Sequence, residues 1–491
     1  MLGFWEYIRD IWPHIYLIVY WIYIAIIALV IIFVITDDKS PVKTLAWVMV
    51  LIFLPIAGLV LYIFFGQNFR KQKIFSRKGL EDFRQIEKLR FEQLQYLDRP
   101  EITHYRPAYK KMHIMKLLLN NSKSIISQNN KIKVLNDGKE KFPELISALK
   151  KAKHHIHIEY YIFEYDSIGK EICDILIEKA SKGVEVRMII DHVGSWHFPN
   201  KKINALKASG IKLQKFMPVT FPYFTSKINY RNHRKIVVID GNTGFVGGIN
   251  VAEKYIHGTK QLGAWHDMHL KIQGNAVHSL QTVFLTDWYF LTKELPTAEI
   301  YFPEINEKHE SIVQIAASGP DSSWAGIMQT YFSAIATARE YIYIATPYLL
   351  PNPALLTALK TASLSGVDVR LIIPRKSDSR IVTYASLSFI SELLNAGIKV
   401  YFFQEGFIHS KTMVVDSIMS SVGTANLDYR SLSVNFEVNA LIYDETTSQR
   451  LRDIFMSDLA KSTLITKENW KQRSKITLLK SSIARVFSPL M

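Results

Sequence analysis

The amino-acid sequence predicts an α/β protein in which an N-terminal transmembrane helical hairpin precedes two duplicated lobes. Each lobe is expected to be a β-sheet flanked by helices, and a pseudo-twofold axis should relate the two. Three observations lead to this prediction: two long uncharged runs near the N-terminus, an alternation of short apolar strands with helical stretches, and a repeat of that alternation. The predicted divisions are a hairpin at 1–66, a helical linker at 67–130, and lobes at 131–305 and 306–491.

The hairpin follows from the two uncharged runs. Residues 15–35 and 45–65 contain no charged side chain. At about 1.5 Å per residue each run spans about 31 Å as a helix, which matches the hydrocarbon core of a bilayer. A cleaved signal peptide would have a shorter apolar run, and a second run would not follow it at once. Pro55 and Gly58 in the second run are tolerated in membrane helices.

Basic residues predict the orientation of the hairpin. The turn at 36–44 holds two acidic and two basic side chains, whereas residues 66–80 hold five basic side chains and no acid. The positive-inside rule therefore places this basic flank, and the lobes after it, in the cytoplasm. The linker beyond it has apolar residues at three- and four-residue steps between Phe83 and Leu97, which predicts an amphipathic helix that ends before Pro100.

The overall charge narrows the class of partner. The chain has 491 residues, with 60 Lys and Arg against 44 Asp and Glu, a formal net charge of +16. Such a surplus attracts polyanions, either nucleic acid or a membrane face rich in anionic lipid. Cys173 is the single cysteine, which excludes an intrachain disulfide and any metal site built from several thiolates. Six basic residues and one acid lie in the tail at 465–491, which could contact a membrane or pack against the body.

The duplication is visible as three matched pairs of segments. AKHHIHIEYYIF at 152–163 is similar to AREYIYIATPYLL at 338–350. GVEVRMII at 183–190 is similar to GVDVRLII at 366–373, and SGIKLQKF at 209–216 to AGIKVYFF at 396–403. The period of about 180 residues is too long for a solenoid unit. A duplicated α/β domain is therefore expected.

Both copies contain the same polar motif, H-x-K, four residues, D, six residues, G-x-x-N. Its members are His233, Lys235, Asp240, Gly247 and Asn250 in the first copy, and His409, Lys411, Asp416, Gly423 and Asn426 in the second. Residues two apart in a strand share a face, so each His projects beside its Lys. Two imidazoles and two ammonium groups around one cleft suit a phosphodiester, because the cations neutralise its oxygens while one His attacks and the other protonates the leaving oxygen.

The double motif resembles the phospholipase D superfamily, and the wider sequence resembles its bacterial cardiolipin synthase branch. The segments that carry this resemblance are SPVKTLAWVMVLIFLPIAGLVLYIFFGQNFRK, NYRNHRKIVVIDGNTGFVGGIN, SGPDSSW, ATPYLLP, NLDYRSLSVNFEVNALIYD and the ending ARVFSPLM. Together they cover nearly the whole chain from about Ser40. Thr424 stands where the family usually has Ser, and both residues carry a hydroxyl.

The resemblance implies two phospholipase D-like lobes in a multi-pass protein of the bacterial inner membrane. It implies that two phosphatidylglycerols become cardiolipin and glycerol through a phosphatidyl-histidine intermediate, with no cofactor and no metal. Carried over by position, His233 is the nucleophile and His409 the general acid and then base. Lys235, Lys411, Asn250 and Asn426 would hold phosphate oxygens, Asp240 and Asp416 would be structural or orienting, and Asp267 and Glu437 would orient the histidines.

Several alternatives stay open at this stage. A hydrolase with water as acceptor would use the same residues, and the superfamily also contains nucleases, although a bilayer anchor argues against nucleic acid as partner. A non-enzymatic lipid-binding protein would not need two intact motifs. By residue type, His154, His155 and His157 are candidate metal ligands. Tyr341 and Tyr343 stand at the corresponding positions of the second copy, which favours a structural role. The sequence shows no heptad or other sign of oligomeric state.

Overall fold

The computed structural model describes residues 2–36, 41–62, 83–98, 107–219, 230–294, 296, 299–305, 309–322 and 324–488. The chain divides into two compact units. The first comprises residues 1–76 with 220–229, and the second comprises residues 77–219 with 230–491. The basic flank at 66–80 lies outside the described residues, as does Pro100.

In its described residues, the N-terminal unit contains one long helix and two short ones. Their bounds are α1 Leu2–Thr36, α2 Pro41–Phe53 and α3 Pro55–Leu61. In α1, Tyr16–Thr36 is long and apolar enough to cross a membrane, and its side chains are mostly exposed. The second predicted span is helical but interrupted. Leu54 leaves the helical conformation immediately before Pro55, because a proline ring clashes with the α conformation of the residue that precedes it.

The two apolar segments of this unit pack against each other. Val34 of α1, Leu51 of α2 and Tyr62 just after α3 form a small buried cluster, in which the rings of Trp47 and Tyr62 meet edge to face at 5.3 Å. Gly58 allows a close approach, since a Cβ there would lie 2.7 Å from the carbonyl oxygen of Val50. The described part of this unit is therefore a folded-back helical arrangement with an apolar exterior.

The linker contributes to the body of the protein. The predicted amphipathic helix is present as α4 Phe83–Leu97, and Leu97 at its end is buried in the body's core. A 3₁₀ turn at Pro107–Lys111 leads into α5 Met112–Ser122. Ile114, Met115 and Leu118 of α5 are fully buried in the core of the second lobe. The sequence analysis assigns this segment to a linker before the first lobe. In the structure, part of it packs as helices on the core of the second lobe.

The part of the first lobe that the structure describes has eight strands and their connecting helices. In chain order they are β1 Ile126–Asn136, α6 Asp137–Lys151, β2 His155–Tyr160, α7 Ser167–Ser181, β3 Glu185–Asp191, α8 Asn200–Ala208, β4 Lys212–Phe216, β5 Lys235–Ile239, β6 Thr243–Gly247, α9 Lys254–His257, β7 Trp265–His266, β8 Met268–Gly274 and α10 Ala276–Thr292.

The second lobe repeats this order after a 3₁₀ turn at Glu299–Tyr301. Its elements are β9 Ser311–Ser318, α11 Gly326–Ala336, β10 Tyr341–Ala345, α12 Pro353–Leu364, β11 Asp368–Pro374, α13 Arg380–Asn395, β12 Lys399–Phe403, β13 Phe407–Ile408, β14 Thr412–Val415, β15 Met419–Gly423, α14 Tyr429–Ser433, β16 Glu437–Tyr443, α15 Glu445–Ala460, β17 Ser462–Leu464, α16 Lys467–Lys471 and α17 Lys475–Val486.

One sheet of fifteen strands runs through both lobes. Its order is β17-β12-β11-β10-β14-β15-β16-β9-β1-β8-β6-β5-β2-β3-β4. Read outward from the β9–β1 junction, β1-β8-β6-β5-β2-β3-β4 on one side matches β9-β16-β15-β14-β10-β11-β12 on the other. The three segment pairs found in the sequence form the equivalent strands β2 and β10, β3 and β11, and β4 and β12. The predicted duplicated α/β fold with pseudo-twofold symmetry is confirmed.

The lobes share a core as well as a sheet. A single apolar cluster contains Val238 and Leu280 of the first lobe together with Val313, Val414 and Ile442 of the second. The antiparallel junction pairs Ile126 with Gln314 and Asn130 with Ser311, and an irregularity lies between them. Continuous hydrogen bonding and a common apolar layer fix the two lobes against each other, which a site with residues from both requires.

Candidate active site

Short parallel pairings bring the two motifs together across the lobes. β7 pairs with β13, so that Ile408 lies beside His266. On the other side of the pseudo-twofold axis, an isolated parallel bridge joins Asn232 to Phe436. In both pairings one partner immediately precedes a motif histidine and the other immediately precedes an acid. Each histidine therefore meets the acid of the opposite lobe.

The ring of His233 is held by the second lobe. Its Nδ1 lies 2.9 Å from Oε2 of Glu437 and 3.1 Å from the carbonyl oxygen of Thr424. A carbonyl oxygen only accepts, so Nδ1 carries a hydrogen, and in the neutral ring the lone pair is on Nε2. Burial lowers the pKa of His233. The positive charge of Lys235 lowers it further, whereas the negative charge of Glu437 raises it by less than burial lowers it. The site thus presents a neutral imidazole whose free nitrogen can act as a nucleophile.

His409 is held in the same manner by the first lobe. Its Nδ1 lies 2.6 Å from Oδ2 of Asp267. Nζ of Lys411 is 2.9 Å from the same nitrogen, but Nδ1 donates its hydrogen to the carboxylate, so Lys411 donates instead to the carbonyl oxygen of His409. Burial, reinforced by Lys411, lowers the pKa of His409 to about 4. A proton on this ring needs an additional negative charge nearby, such as a bound phosphodiester.

The two motif lysines are buried ammonium groups in one electrostatic environment. Nζ of Lys235 donates to the carbonyl oxygen of His233 at 2.7 Å. Burial lowers its pKa to about 7, and the charge of Lys411 contributes in the same direction. Burial also lowers the pKa of Lys411. Because His233 contacts Glu437 and His409 contacts Asp267 across the two lobes, the two motifs form one site.

The acids that meet the histidines are ionised. Burial alone would raise their pKa values, but the pKa of Asp267 is lowered by Lys411 and His409, and that of Glu437 by His233 and Lys235. Both side chains are almost fully inaccessible to solvent. The predicted orienting positions, Asp267 and Glu437, thus lie at the Nδ1 atoms of the two histidines, and the structure adds that each contact crosses between lobes.

The two motif asparagines differ from each other. Asn250 is occupied within its own lobe, where Oδ1 accepts from the amide of Ile162 at 3.0 Å and Nδ2 donates to the hydroxyl of Tyr255 at 2.7 Å. Asn426 is also buried, but its Oδ1 has no hydrogen-bond partner among the described residues. Its side chain hydrogen bonds to Asp428, whose pKa burial raises to about 6. Among the described residues, Asn426 therefore keeps one acceptor, Oδ1, without a hydrogen bond.

The motif aspartates lie away from the histidines, at the other end of strands β5 and β14. Seven residues of extended chain separate His233 from Asp240, about 23 Å. Asp240 accepts from the backbone amides that begin β2, those of Lys153, His154 and His155 at 2.8 to 3.0 Å. Asp416 does the same for the amides that begin β10, and Nζ of Lys111 donates to it at 2.9 Å. Their contacts are structural rather than orienting.

We expect Asp416→Ala to destabilise the fold by about 3 kcal/mol and to leave the turnover of folded enzyme nearly unchanged. The reason is that the amides that begin β10 and the buried ammonium of Lys111 then lose their acceptor. Asp240→Ala, which removes amide contacts without a described lysine partner, should cost less. Thermal unfolding and specific activity at low temperature test both variants. The Glu340 amide and Lys111 outweigh burial and lower the pKa of Asp416. Its contribution is therefore present at neutral pH and lost as pH falls through that pKa. A hundredfold loss of turnover at unchanged stability would contradict this assignment.

A buried polar network behind His233 was not found from the sequence. Arg234, the variable residue of the first motif, contacts Asp287 and donates from Nε to the carbonyl oxygen of Glu437 at 3.2 Å. Asn232 donates to the buried Glu159. The second lobe has Ser410 at the position of Arg234 and Ala345 at that of Glu159. Arg234 therefore positions the strand that carries Glu437. The sequence contains no distinct signal for this role, because Arg234 stands in a basic run between His233 and Lys235, just before β5.

The first-strand histidines have structural contacts. His157 Nδ1 lies 2.7 Å from Nε2 of Gln281, and its ring stacks on Phe284 at 4.6 Å. Burial lowers the pKa of His155 and of His157 to about 3. The described part of the chain contains no group of three or more His, Cys, Asp or Glu residues that could hold a metal ion.

Known proteins match this chain along almost its whole length. Residues 145–288 and 331–459 match the family described as cardiolipin synthase, PLD-like domain, and residues 24–67 match the phospholipase D-nuclease N-terminal family. The cardiolipin synthase of Geobacillus sp. (strain WCH70) is 42% identical over 458 residues, covering 93% of this chain and 90% of that protein. The chain belongs to the cardiolipin synthase family of the phospholipase D superfamily.

A second relative supports the same family placement, and a solved structure shares the fold. The major cardiolipin synthase ClsA of Bacillus subtilis (strain 168) is 40% identical over 472 residues, covering 96% of this chain and 98% of that protein. The crystal structure of the phosphatidylserine synthase of Haemophilus influenzae Rd KW20 has a TM-score of 0.58 at 16% identity, over 78% of this chain and all of that one, which shows a common fold. Membership in the cardiolipin synthase family makes this chain a membrane-associated phosphatidyltransferase of the phospholipase D superfamily.

Proposed function

We propose that this protein makes cardiolipin from two molecules of phosphatidylglycerol. Nε2 of His233 attacks the phosphorus of the first lipid, the bond from phosphorus to the glycerol oxygen breaks, and glycerol leaves with a proton from His409. The terminal hydroxyl of the second phosphatidylglycerol then attacks the phosphatidyl-histidine, giving its proton to His409 and displacing His233. The products are cardiolipin and glycerol, and both histidines return to their initial states.

The observation that carries this proposal is the crossed pair of histidines. Each has its Nδ1 on a carboxylate of the opposite lobe, which leaves Nε2 of each ring for the substrate. A neutral His233 fits a nucleophile, and a His409 whose proton depends on the charge of the bound lipid fits an acid that later becomes a base. Lys235 and Lys411 supply the positive charge that a pentacoordinate phosphorus needs.

The energetics favour exchange between lipids. One phosphodiester bond is replaced by another, so the reaction needs no nucleotide or other activated donor. The sequence contains neither the G-x-x-x-x-G-K-[ST] loop nor the dinucleotide fingerprint that nucleotide-dependent enzymes use. Transfer also requires that an alcohol reach the phosphatidyl-histidine before water does.

We further propose that both apolar segments span the bilayer and that the lobes lie in the cytoplasm. Support comes from the exposed apolar surface of Tyr16–Thr36, from the packing of Val34 against Leu51 and Tyr62, and from the basic flank at 66–80. The break at Leu54 is compatible with a span, since neighbouring helices can accommodate a proline in the membrane.

A product assay tests the proposed reaction. Full-length protein is reconstituted in liposomes with phosphatidylglycerol carrying a deuterated glycerol headgroup, and lipids and free glycerol are followed by mass spectrometry. We expect one labelled glycerol released for each cardiolipin formed, and the same rate after treatment with EDTA. Phosphatidic acid without cardiolipin would show a hydrolase instead, and activity that EDTA removes and a divalent metal restores would contradict the mechanism.

A further inference from the structure

The last helix, α17, has an apolar stripe that faces solvent. Ile476, Leu479, Ile483 and Val486 are 53 to 74% exposed, and Phe487 after the helix is 49% exposed. At about 100° per residue, these five side chains fall within an arc of about 100° on one side of the helix. A stripe of this size in water lacks a partner within the described part of the chain.

The opposite side of α17 fixes the helix on the body. Ser481 and Ala484 are buried against α13. Arg485 donates to Glu392 of α13 at 3.1 Å, and its guanidinium lies 4.4 Å from the centre of the Phe389 ring. One face of α17 therefore packs on the body while the opposite face is exposed. The two roles that the sequence left open for this tail, membrane contact and packing on the body, are compatible.

Beside the stripe lies a pocket of about 390 Å³ with a cationic lining. Its lining includes Ser391 of α13, Lys467, Trp470 and Lys471 of α16, and Arg473, Lys475 and Leu478. The pocket has a fixed wall. Nε1 of Trp470 and Nη2 of Arg473 both donate to Oγ of Ser391, at 3.0 and 3.1 Å, and the guanidinium lies over the indole ring at 4.7 Å.

The lysines of the pocket keep their positive charge without a partner acid among the residues that the structure describes. Lys467, Lys471 and Lys475 make no ion pair within the described residues. The nearby acids are Glu468, on α16 itself, and Glu392, which is engaged by Lys360 and Arg485. Lys475 and Lys480 flank the apolar stripe on its two sides, an arrangement that lets their charged ends reach lipid phosphates while the stripe enters the apolar layer.

We propose that this pocket and stripe form a second phospholipid site, separate from the catalytic one. The apolar stripe of α17 lies in the bilayer interface, and the pocket takes the headgroup phosphate of an anionic phospholipid, with Leu478 between the two. Trp470 at the pocket wall suits the polar boundary of a membrane. This assignment rests on the membrane association of the family and holds whether the catalytic site transfers or hydrolyses.

The position of α17 can be measured on the full-length protein in liposomes of phosphatidylcholine and phosphatidic acid. A fluorophore is attached at Leu479→Cys or at Leu364→Cys, an equally apolar site on α12 that is 74% exposed, in a Cys173→Ala background. With nitroxide-labelled acyl chains, we expect at least threefold stronger quenching at position 479. Equal quenching at the two positions would overturn the membrane contact.

Native mass spectrometry in detergent tests the headgroup pocket. Phosphatidic acid is the probe, because it has no esterified alcohol that could leave in the catalytic site, and phosphatidylcholine is the reference lipid. The pocket variant Lys467→Gln/Lys471→Gln/Lys475→Gln should bind it about tenfold more weakly. The matched control Lys139→Gln/Lys201→Gln/Lys207→Gln removes three exposed lysines elsewhere and should bind it within twofold of the unmodified protein.

Three results would overturn the headgroup assignment. Equal weakening in both triple variants would indicate only general charge, displacement of the lipid by equimolar inorganic phosphate would indicate a free phosphate site, and tighter binding of a DNA oligonucleotide would indicate nucleic acid. Cardiolipin formation in detergent is measured in parallel. We expect the pocket variant to retain it, which separates this site from the proposed catalytic reaction, and its loss would contradict that separation.

Discussion

Replacing His233 by alanine is expected to reduce cardiolipin formation at least about 10⁴-fold and to abolish the covalent phosphatidyl-enzyme. The reason is that the only nitrogen able to attack phosphorus in this assignment is Nε2 of that ring, which Glu437 and the Thr424 carbonyl hold in place. His409→Ala should reduce the rate of cardiolipin formation by about 10² to 10⁴-fold, because glycerol then leaves without a proton.

A donor with a better leaving group separates the two histidines. With phosphatidyl-p-nitrophenol, departure of the nitrophenolate needs no proton, so His409→Ala should show a burst of nitrophenolate and accumulate phosphatidyl-enzyme. His233→Ala should show neither. The adduct is measured by mass spectrometry of protein quenched at alkaline pH, and His257→Ala, an exposed histidine, serves as the control. A burst in His233→Ala and none in His409→Ala would exchange the two roles.

Neutralising the acids should cost about 10² to 10³-fold each, but in different steps. Glu437→Gln keeps the shape of the side chain and loses the charge that stabilises the ring of His233, so the nitrophenolate burst should slow. Asp267→Asn affects His409 instead, so the burst should persist while transfer to the acceptor slows. Each acid thus controls the chemistry of the histidine in the other lobe.

Stopped-flow measurement of the burst, and mass spectrometry of cardiolipin for the second step, distinguish these effects. Glu405→Gln, which removes an exposed carboxylate from a surface ion pair, is the matched control and should leave both steps unchanged. The crossed arrangement would be refuted if Glu437→Gln slowed only acceptor transfer and Asp267→Asn slowed only the burst.

Much of this architecture is encoded locally and could be predicted. The strands β2, β3 and β4 and their counterparts are short apolar segments bounded by polar turns. The H-x-K spacing predicts that each His and Lys share one face of a strand, but in the structure His233 precedes β5, and His409 and Lys411 both precede β14. The repeat then predicts the pseudo-twofold axis without any structural information. Patterns of this kind depend on neighbours within a few residues, which is why the sequence reveals them.

Contacts between distant segments could not be predicted in this way. His233 and Glu437 are 204 residues apart, and Lys111 and Asp416 are 305 apart. Their pairing depends on the β9–β1 junction and on the two short parallel bridges, which leave no periodic signal. The interruption at Leu54 could be predicted only in part. Pro55 is visible in the sequence, but packing decides whether a helix continues through a proline or stops before it.

The antiparallel junction between β1 and β9 has a consequence for how such a protein could arise. Because equivalent strands meet there in opposite directions, the junction has the geometry of an isologous contact between two copies of one lobe. A single-lobe ancestor could therefore have built a complete site by forming a symmetric dimer. Fusion of the two copies would then have allowed the surroundings of each histidine to diverge, as Arg234 and Glu159 opposite Ser410 and Ala345 illustrate.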